Sequence, residues 1–217
     1  MLFDHHIHSK YSEKDSLSEI DDIIRKAQES GLGAIAISDH NAMKGSLLAS
    51  KKKVKDLIII PSIEISTKDG HVIGLGVDEI IPQGLSAKET VGLIHKAGGI
   101  AIAAHPYDAI RSGIGDLCWK LAFDAIELNG HCLHGNGKAR EMAKVHSRPL
   151  VGGSDAHAIA GIGAVCTEVE GSTAGEIMGN IRSGKCCPVI RRSGIELKGA
   201  ILADKISRNY QLLAHRL

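Results

Sequence analysis

The chain has little aromatic character, with one Trp, three Tyr and two Phe in 217 residues. Few side chains are therefore available to stack on unpaired bases, as a single-stranded nucleic-acid track requires. It also lacks an excess of either charge. Lys and Arg number 26 against 25 Asp and Glu, a formal net charge of +1, so no overall field draws the protein to nucleic acid or to an anionic membrane. There is no run of eighteen consecutive apolar residues, and the first residues show no basic segment leading into an apolar one. The expectation is a soluble, cytoplasmic protein. C-x-x-C pairs are missing too, and the cysteines, Cys118, Cys132, Cys166, Cys186 and Cys187, are odd in number. That argues against both a disulfide framework and a thiolate zinc site.

What the chain does have is glycine, 25 residues, and histidine, 12. Abundant glycine with few aromatics suits an α/β protein with many tight strand-to-helix turns. Short apolar runs that read as buried strands, LFDHHIH, AIAISDH, LIIIPSIEIS, HVIGLGV, GIAIAAHP, AIELNG, PLVGGSDAH and AVCTEVE, alternate with helical patterns. Ser18 with Asp21 resembles a capping box before the stripe Ile20, Ile23, Ile24 and Ala27, which Gly31 closes. Ser86 with Glu89 repeats the logic before Val91, Ile94 and Ala97, and Ser172, Ile177, Ile181 and Gly184 mark another helix. Strands apolar on both faces and separated by helices imply a parallel sheet covered by helices. About seven such units in one domain imply a closed or nearly closed barrel. A last helical pattern, Glu196 to Leu217, is expected to pack on the barrel, so that 1–217 reads as one domain.

The histidines are not scattered. On the first strand, period two puts Asp4, His6 and His8 on one face and Phe3, His5 and Ile7 on the other. At or just past the C-terminal ends of later strands stand Asp39 and His40, Glu64, His105, Asn129 with His131 and His134 beyond it, and Asp155 with His157. In a parallel α/β barrel those ends form the floor of the active site. Imidazole mixed with carboxylate and free of thiolate suits Zn²⁺, Mn²⁺ or Fe²⁺. The donors exceed the needs of one ion and suit two or three, with Glu64 bridging a pair.

The stretches DHHIHSKYSEKDS, AIAISDHNAMKG, SIEISTKDGHVIGLG, IAIAAHPYD and VGGSDAH, in order from Phe3 to Gly163, resemble the successive motifs of the PHP (polymerase and histidinol phosphatase) superfamily of metal-dependent phosphoesterases. The resemblance implies a distorted (β/α)7 TIM-like barrel with the metal centre at the C-terminal ends of its strands. It implies as ligands His6, His8, His40, Glu64, His105, Asp155 and His157. Glu13 and Asp15 compete for a further ligand position, and the YS…DS pattern selects Asp15. His131 and His134 compete for another, and His134 directly precedes the next helix.

Asp4 and Asp39 are expected to orient imidazoles or hold protons, and a non-ligating His131 or His134 to supply the proton of the leaving group. Tyr107, Arg111 and His71 are candidates for substrate contact. His5 reads as a histidine turned away from the metals, and His95, His146 and His215 as packed or solvated helix residues. The implied reaction is hydrolysis of a small phosphomonoester or nucleotide phosphodiester with two or three divalent ions (Mn, Zn or Fe). A nuclease acting on polynucleotide ends and a non-catalytic RNA-binding barrel are the alternatives, both less favoured by a near-neutral chain poor in aromatics.

Overall fold

A computed structural model of the chain describes residues 1–12, 15–132 and 135–192, with the single positions 196, 199 and 202. The helix expected from Glu196 to Leu217 thus lies largely outside the described residues, as do Glu13 and His134. In chain order the elements are β1 (Leu2–Ile7), α1 (Ile20–Glu29), β2 (Ala34–Ile37), α2 (Lys44–Ser50), β3 (Ile58–Ser66), β4 (His71–Leu75), α3 (Ala87–Lys96), β5 (Ile100–Ala103), a turn of helix α4 (Leu117–Lys120), β6 (Ala125–Asn129), α5 (Gly135–His146), β7 (Leu150–Gly153), a 3-10 turn (Ile159–Gly161), β8 (Val165–Val169), α6 (Ala174–Arg182) and β9 (Cys186–Ile190).

The strands form one sheet in the order β7-β6-β5-β4-β3-β2-β1-β8-β9. The pairs β1/β2, β2/β3, β5/β6 and β6/β7 are parallel, as expected. Strand β4 runs antiparallel to both neighbours, and β8 and β9 form an antiparallel extension from β1. The barrel is therefore mixed in direction. Strand β9, the short stretch CCPVI, carries a proline and has no alternating pattern to announce it.

The interior is apolar at its lower end. Phe3, Ala36, Ile60, Ile73 and Ile102 pack there, and Ile177 and Ile181 of α6 cover the group. Outside the sheet, Ile35 and Ile37 of β2 meet Ile23, Ile24 and Ala27 of α1, the stripe expected from the sequence. Caps follow the sequence in part. The Ser86/Glu89 capping box opens α3, whereas α1 starts after Glu19 without a side-chain cap. Ser18 instead accepts the Lys10 N–H on its carbonyl, which holds the loop after β1. Thr173 rather than Ser172 caps α6, while Ser172 bonds the Glu176 carboxylate. Among the described residues no helix is long and apolar enough to cross a membrane.

The barrel closes between β7 and β8 through side chains. The Thr167 hydroxyl accepts the Gly152 N–H at 2.9 Å and donates to the Gly152 carbonyl at 3.0 Å. Gly152 has no room for a side chain, because a Cβ there would run into the Cys166 carbonyl. Nearby, Asp4 accepts the N–H groups of Ser154 at 3.0 Å and Gly163 at 2.8 Å. Asp4 thus staples β1 to the segment after β7 and, with both its oxygens taken by backbone, does not orient an imidazole, the first of the two roles expected of it; burial raises its carboxyl.

Thr167→Val keeps the shape of the side chain but leaves the buried Gly152 N–H and C=O without partners. It should cost about 1–3 kcal/mol in urea unfolding, and an unchanged midpoint would show that the seam is held elsewhere.

Candidate metal centre

The first strand does not keep its period. Phe3 and Asp4 pair with Ala34 and Ile35, but the next pair is Ile7 with Ile37, so β1 carries one residue more than β2 in the interval. This is a β-bulge, and it turns His5 and His6 both inward: His5 Nε2 and His6 Nδ1 lie 3.2 and 2.8 Å from the same atom, Glu127 Oε1. His8 then faces the interior as well. The expectation that His5 points away from the site toward the helices is corrected by the bulge.

Glu64 is the centre of the arrangement. Its Oε2 lies 3.1 Å from His6 Nε2, 3.3 Å from His8 Nε2 and 3.2 Å from His40 Nδ1. Its Oε1 lies 3.0 Å from His71 Nδ1 and 3.1 Å from His105 Nε2. Asp155 Oδ1 is 3.2 Å from His8 Nε2 and 3.5 Å from His6 Nε2. Asp15 Oδ2 is 3.2 Å from His40 Nε2 and 3.3 Å from His157 Nε2. Four overlapping groups have ligand atoms within 4.8 Å of one another: His8, Asp15, His40 and His157; His6, Glu64 and His105; His6, His8 and Asp155; His40, Glu64 and His71.

Hydrogen bonding alone does not account for this packing. A carboxylate offers roughly four lone-pair sites, and five imidazoles crowd Glu64. The buried Nδ1 atoms of His40 and His71 stand beside it without hydrogen-bond alignment. Cations lying between ring nitrogens and carboxylate oxygens would satisfy every donor, so the residues present fit more than one metal ion. Burial alone would raise the Glu64 carboxyl; His6 and the hydrogen bond from His105 hold it well below the usual range. Asp155 is likewise held low against its burial, by His6 and His8. Asp15 falls to about 2 against its partial burial, through His157 and His8. Burial pushes the His8 and His131 imidazoles down to about 4, which leaves them neutral at pH 7.

Backbone geometry aims the donors. His105 and Asp155 hold φ of 30° and 53°, in the left-handed region, at a cost of order 1–3 kcal/mol each. His71 opens its strand rather than ending it. Because β4 runs antiparallel, its first residue, paired with Ser66, comes to the rim where the parallel strands end. That direction brings His71 into a donor group and also to the wall of the cleft, where substrate contact was expected of it.

Arg111 lies across a cleft of about 250 Å³ lined by His40, Glu64, His71, His105, Ile110, Ser112, Asp155 and His157, and its guanidinium donates to Asp155. His131 stands at the edge, its ring 6.2 Å from that of His157, with its buried Nε2 unpartnered. Two residues stand differently from expectation. The Asp39 carboxylate accepts the Ser9 N–H at 2.6 Å and the Ser9 hydroxyl at 2.7 Å, and so secures the loop after β1 and not an imidazole, while burial pushes its carboxyl up to about 6, in keeping with the expectation that it could hold a proton. Tyr107 turns away from the cleft, donating to Asp116 at 2.8 Å and accepting Trp119 Nε1–H at 2.6 Å.

Sequence reasoning missed Ser12, which pairs with His8 Nδ1 at 3.1 Å and accepts the His40 N–H at 3.1 Å. It also missed Glu127, fully buried on β6. A lone carboxylate inside the apolar run AIELN was the available signal, since such a charge needs buried partners.

Residues 4–110 match the family model for the PHP domain, and residues 134–186 match the model for the PHP-associated region. This chain belongs to the PHP family. An uncharacterized Methanocaldococcus jannaschii protein, MJ1587, is 38% identical over an alignment of 138 residues that covers 59% of this chain and 81% of that protein. A second from the same organism, MJ0417, is 31% identical over an alignment of 144 residues that covers 59% of this chain and 54% of that protein. Among solved structures, PsfC from Pseudomonas syringae superposes with a TM-score of 0.75 at 17% identity, covering 97% of this chain and 98% of its own. A two-domain Bacteroides vulgatus protein, described as containing a predicted PHP-like metal-dependent phosphoesterase, gives 0.75 at 17% identity over 88% of this chain and 64% of its own. These similarities establish the PHP-type barrel. The donor groups lie where the motifs placed them, on the rim at which the parallel strands end.

Tyr107→Phe should leave metal binding unchanged and lower stability by about 1 kcal/mol in urea unfolding, because Trp119 Nε1 loses its acceptor. A drop in metal content in this variant would put Tyr107 back in the site.

Proposed function

We propose that this chain is a metal-dependent phosphoesterase that hydrolyses small phosphorylated molecules, with two or three divalent ions of Mn, Zn or Fe as cofactor. The observation that carries the reading is the Glu64 carboxylate, buried and ringed by imidazole nitrogens from β1, β4 and the segments after β2 and β5. His6, His8, Glu64 and Asp155 would hold one ion, Asp15, His40 and His157 a second, and Glu64, His71 and His105 a third. Bound there, divalent ions supply charge neutralisation for phosphoryl oxygens and lower the pKa of water, so no side-chain nucleophile is required.

The chain's own residues do the rest. Arg111 is the one cationic side chain lining the cleft among the described residues. A phosphoryl group could replace Asp155 as its partner and be held by two parallel N–H bonds. His131 is neutral at pH 7, and cations nearby would push it the same way. That makes it a ligand or proton acceptor and disfavours it as the donor to a leaving group. A cleft of about 250 Å³ takes a phosphoryl group and a modest remainder. The lack of a further Lys or Arg, or of Trp, Tyr or Phe, in its lining among the described residues favours a small ester over a polynucleotide end. The nearly complete donor set weighs against a non-catalytic RNA-binding barrel.

Metal content per chain, purified without chelator, should come to two or three ions. Turnover of p-nitrophenyl phosphate and its bis ester should depend on added Mn²⁺, Zn²⁺ or Fe²⁺. Folded His40→Ala and Asp155→Ala variants should each lose metal and at least the ~10–100-fold that even outer-shell changes cost. If both keep metal and turnover, the assignment is wrong.

A further inference from the structure

Glu127 belongs to none of the donor groups, yet it touches two of them from below. Its Oε2 accepts the His105 backbone N–H at 2.9 Å and the Asn129 side-chain amide at 3.0 Å. Its Oε1 meets His6 Nδ1 at 2.8 Å and His5 Nε2 at 3.2 Å. Gly153 makes room for this packing, because a Cβ there would strike Oε1 of Glu127 and crowd His6 and His5.

The two ends of the carboxylate are not equivalent. A backbone N–H cannot become an acceptor. The Asn129 amide cannot turn over either, because its Oδ1 already accepts the His131 N–H at 2.8 Å. Oε2 is therefore committed to two fixed donors, and only Oε1 is left for imidazole. A carboxylate is acceptor-only, so His6 must bring a proton to it on Nδ1. The opposite ring nitrogen, Nε2, lies 3.1 Å from Glu64 Oε2 and 3.5 Å from Asp155 Oδ1, and with Nδ1 holding the proton of the neutral ring it is Nε2 that would present its lone pair to an ion there.

We propose that Glu127 is a positioning residue that locks His6 in the Nδ1–H form and so makes its Nε2 available to metal. The proposal rests on the metal-centre reading above. It predicts a specific failure for the isosteric change Glu127→Gln. The fixed donors at Oε2 require the Gln carbonyl there, which turns the Gln NH2 toward His6 and His5. Two N–H groups then face two imidazoles, each of which can accept, so the buried contacts survive. His6, however, must accept on Nδ1 and carry its proton on Nε2, where the ion would bind.

The test uses the full chain and Zn²⁺ alone. In the Zn²⁺-loaded wild type, long-range ¹H–¹⁵N correlation should show His6 protonated at Nδ1. Glu127→Gln should remain folded by circular dichroism and weaken the affected Zn²⁺ site by roughly 10–100-fold in competition with a chromophoric chelator. In a His6→Ala background the same change should have little further effect on that site, since its action runs through His6. Zn²⁺ bound by His6 through Nδ1 would overturn the proposal even if Glu127→Gln fails to fold. Equal affinity in wild type and Glu127→Gln would overturn it while leaving the metal centre intact, and a wild type that binds no Zn²⁺ would overturn both.

Discussion

A carboxylate taken wholly out of water costs several kcal/mol unless positive charge and hydrogen bonds meet it there. Glu64 sits at that cost in the middle of the barrel mouth, and much of the surrounding structure bears on it. The bulge in β1 turns His6 toward it, the reversed direction of β4 brings His71 to it, and the left-handed turn at His105 aims another imidazole at the oxygen that His71 meets. Around this core a further layer of acceptors holds the imidazoles: Ser12 under His8, and Glu127 under His6. The apolar lower half of the barrel, closed by α6, supplies the rigidity on which such alignment depends.

Much of this was legible in the sequence because the donors sit in short motifs at strand ends, where position along the chain nearly determines position in space. His6, His8, His40, Glu64, His105, Asp155 and His157 all reach the rim for that reason. The misreadings share a different cause. His71 depended on the direction of its strand, which an apolar run does not reveal, and His5 on a single extra residue in β1 that period two cannot register. Asp39 and Tyr107 stand next to site residues in sequence, but their nearest polar partners are Ser9 and the pair Asp116 and Trp119, contacts that only tertiary packing creates. Glu127 escaped for the same reason, since its partners come from β1 and from the segment after β5. The parallel-sheet reading held for β1/β2, β2/β3, β5/β6 and β6/β7 and failed at β4, β8 and β9; a short connection permits the antiparallel pairing of β3 with β4, whereas α3 and α6 lie between the antiparallel partners β4/β5 and β8/β9.

The closure of the barrel has a consequence for how the protein holds together. Strand β7 ends one side of the hydrogen-bonded ladder, and β1 lies near the other side, so the two meet across a seam joined by side chains and by one backbone bridge, between Ile7 and Ala156 just after β7. His8 belongs to the β1 side and Asp155 to the β7 side, 147 residues apart in sequence, and their side chains meet at 3.2 Å. An ion shared between them would act as a clasp, binding the closed barrel and not the opened one, and would stabilise the fold in proportion to its occupancy. The centre that would carry out the chemistry would then also keep the strands from parting, and loss of metal would loosen the molecule first along that line.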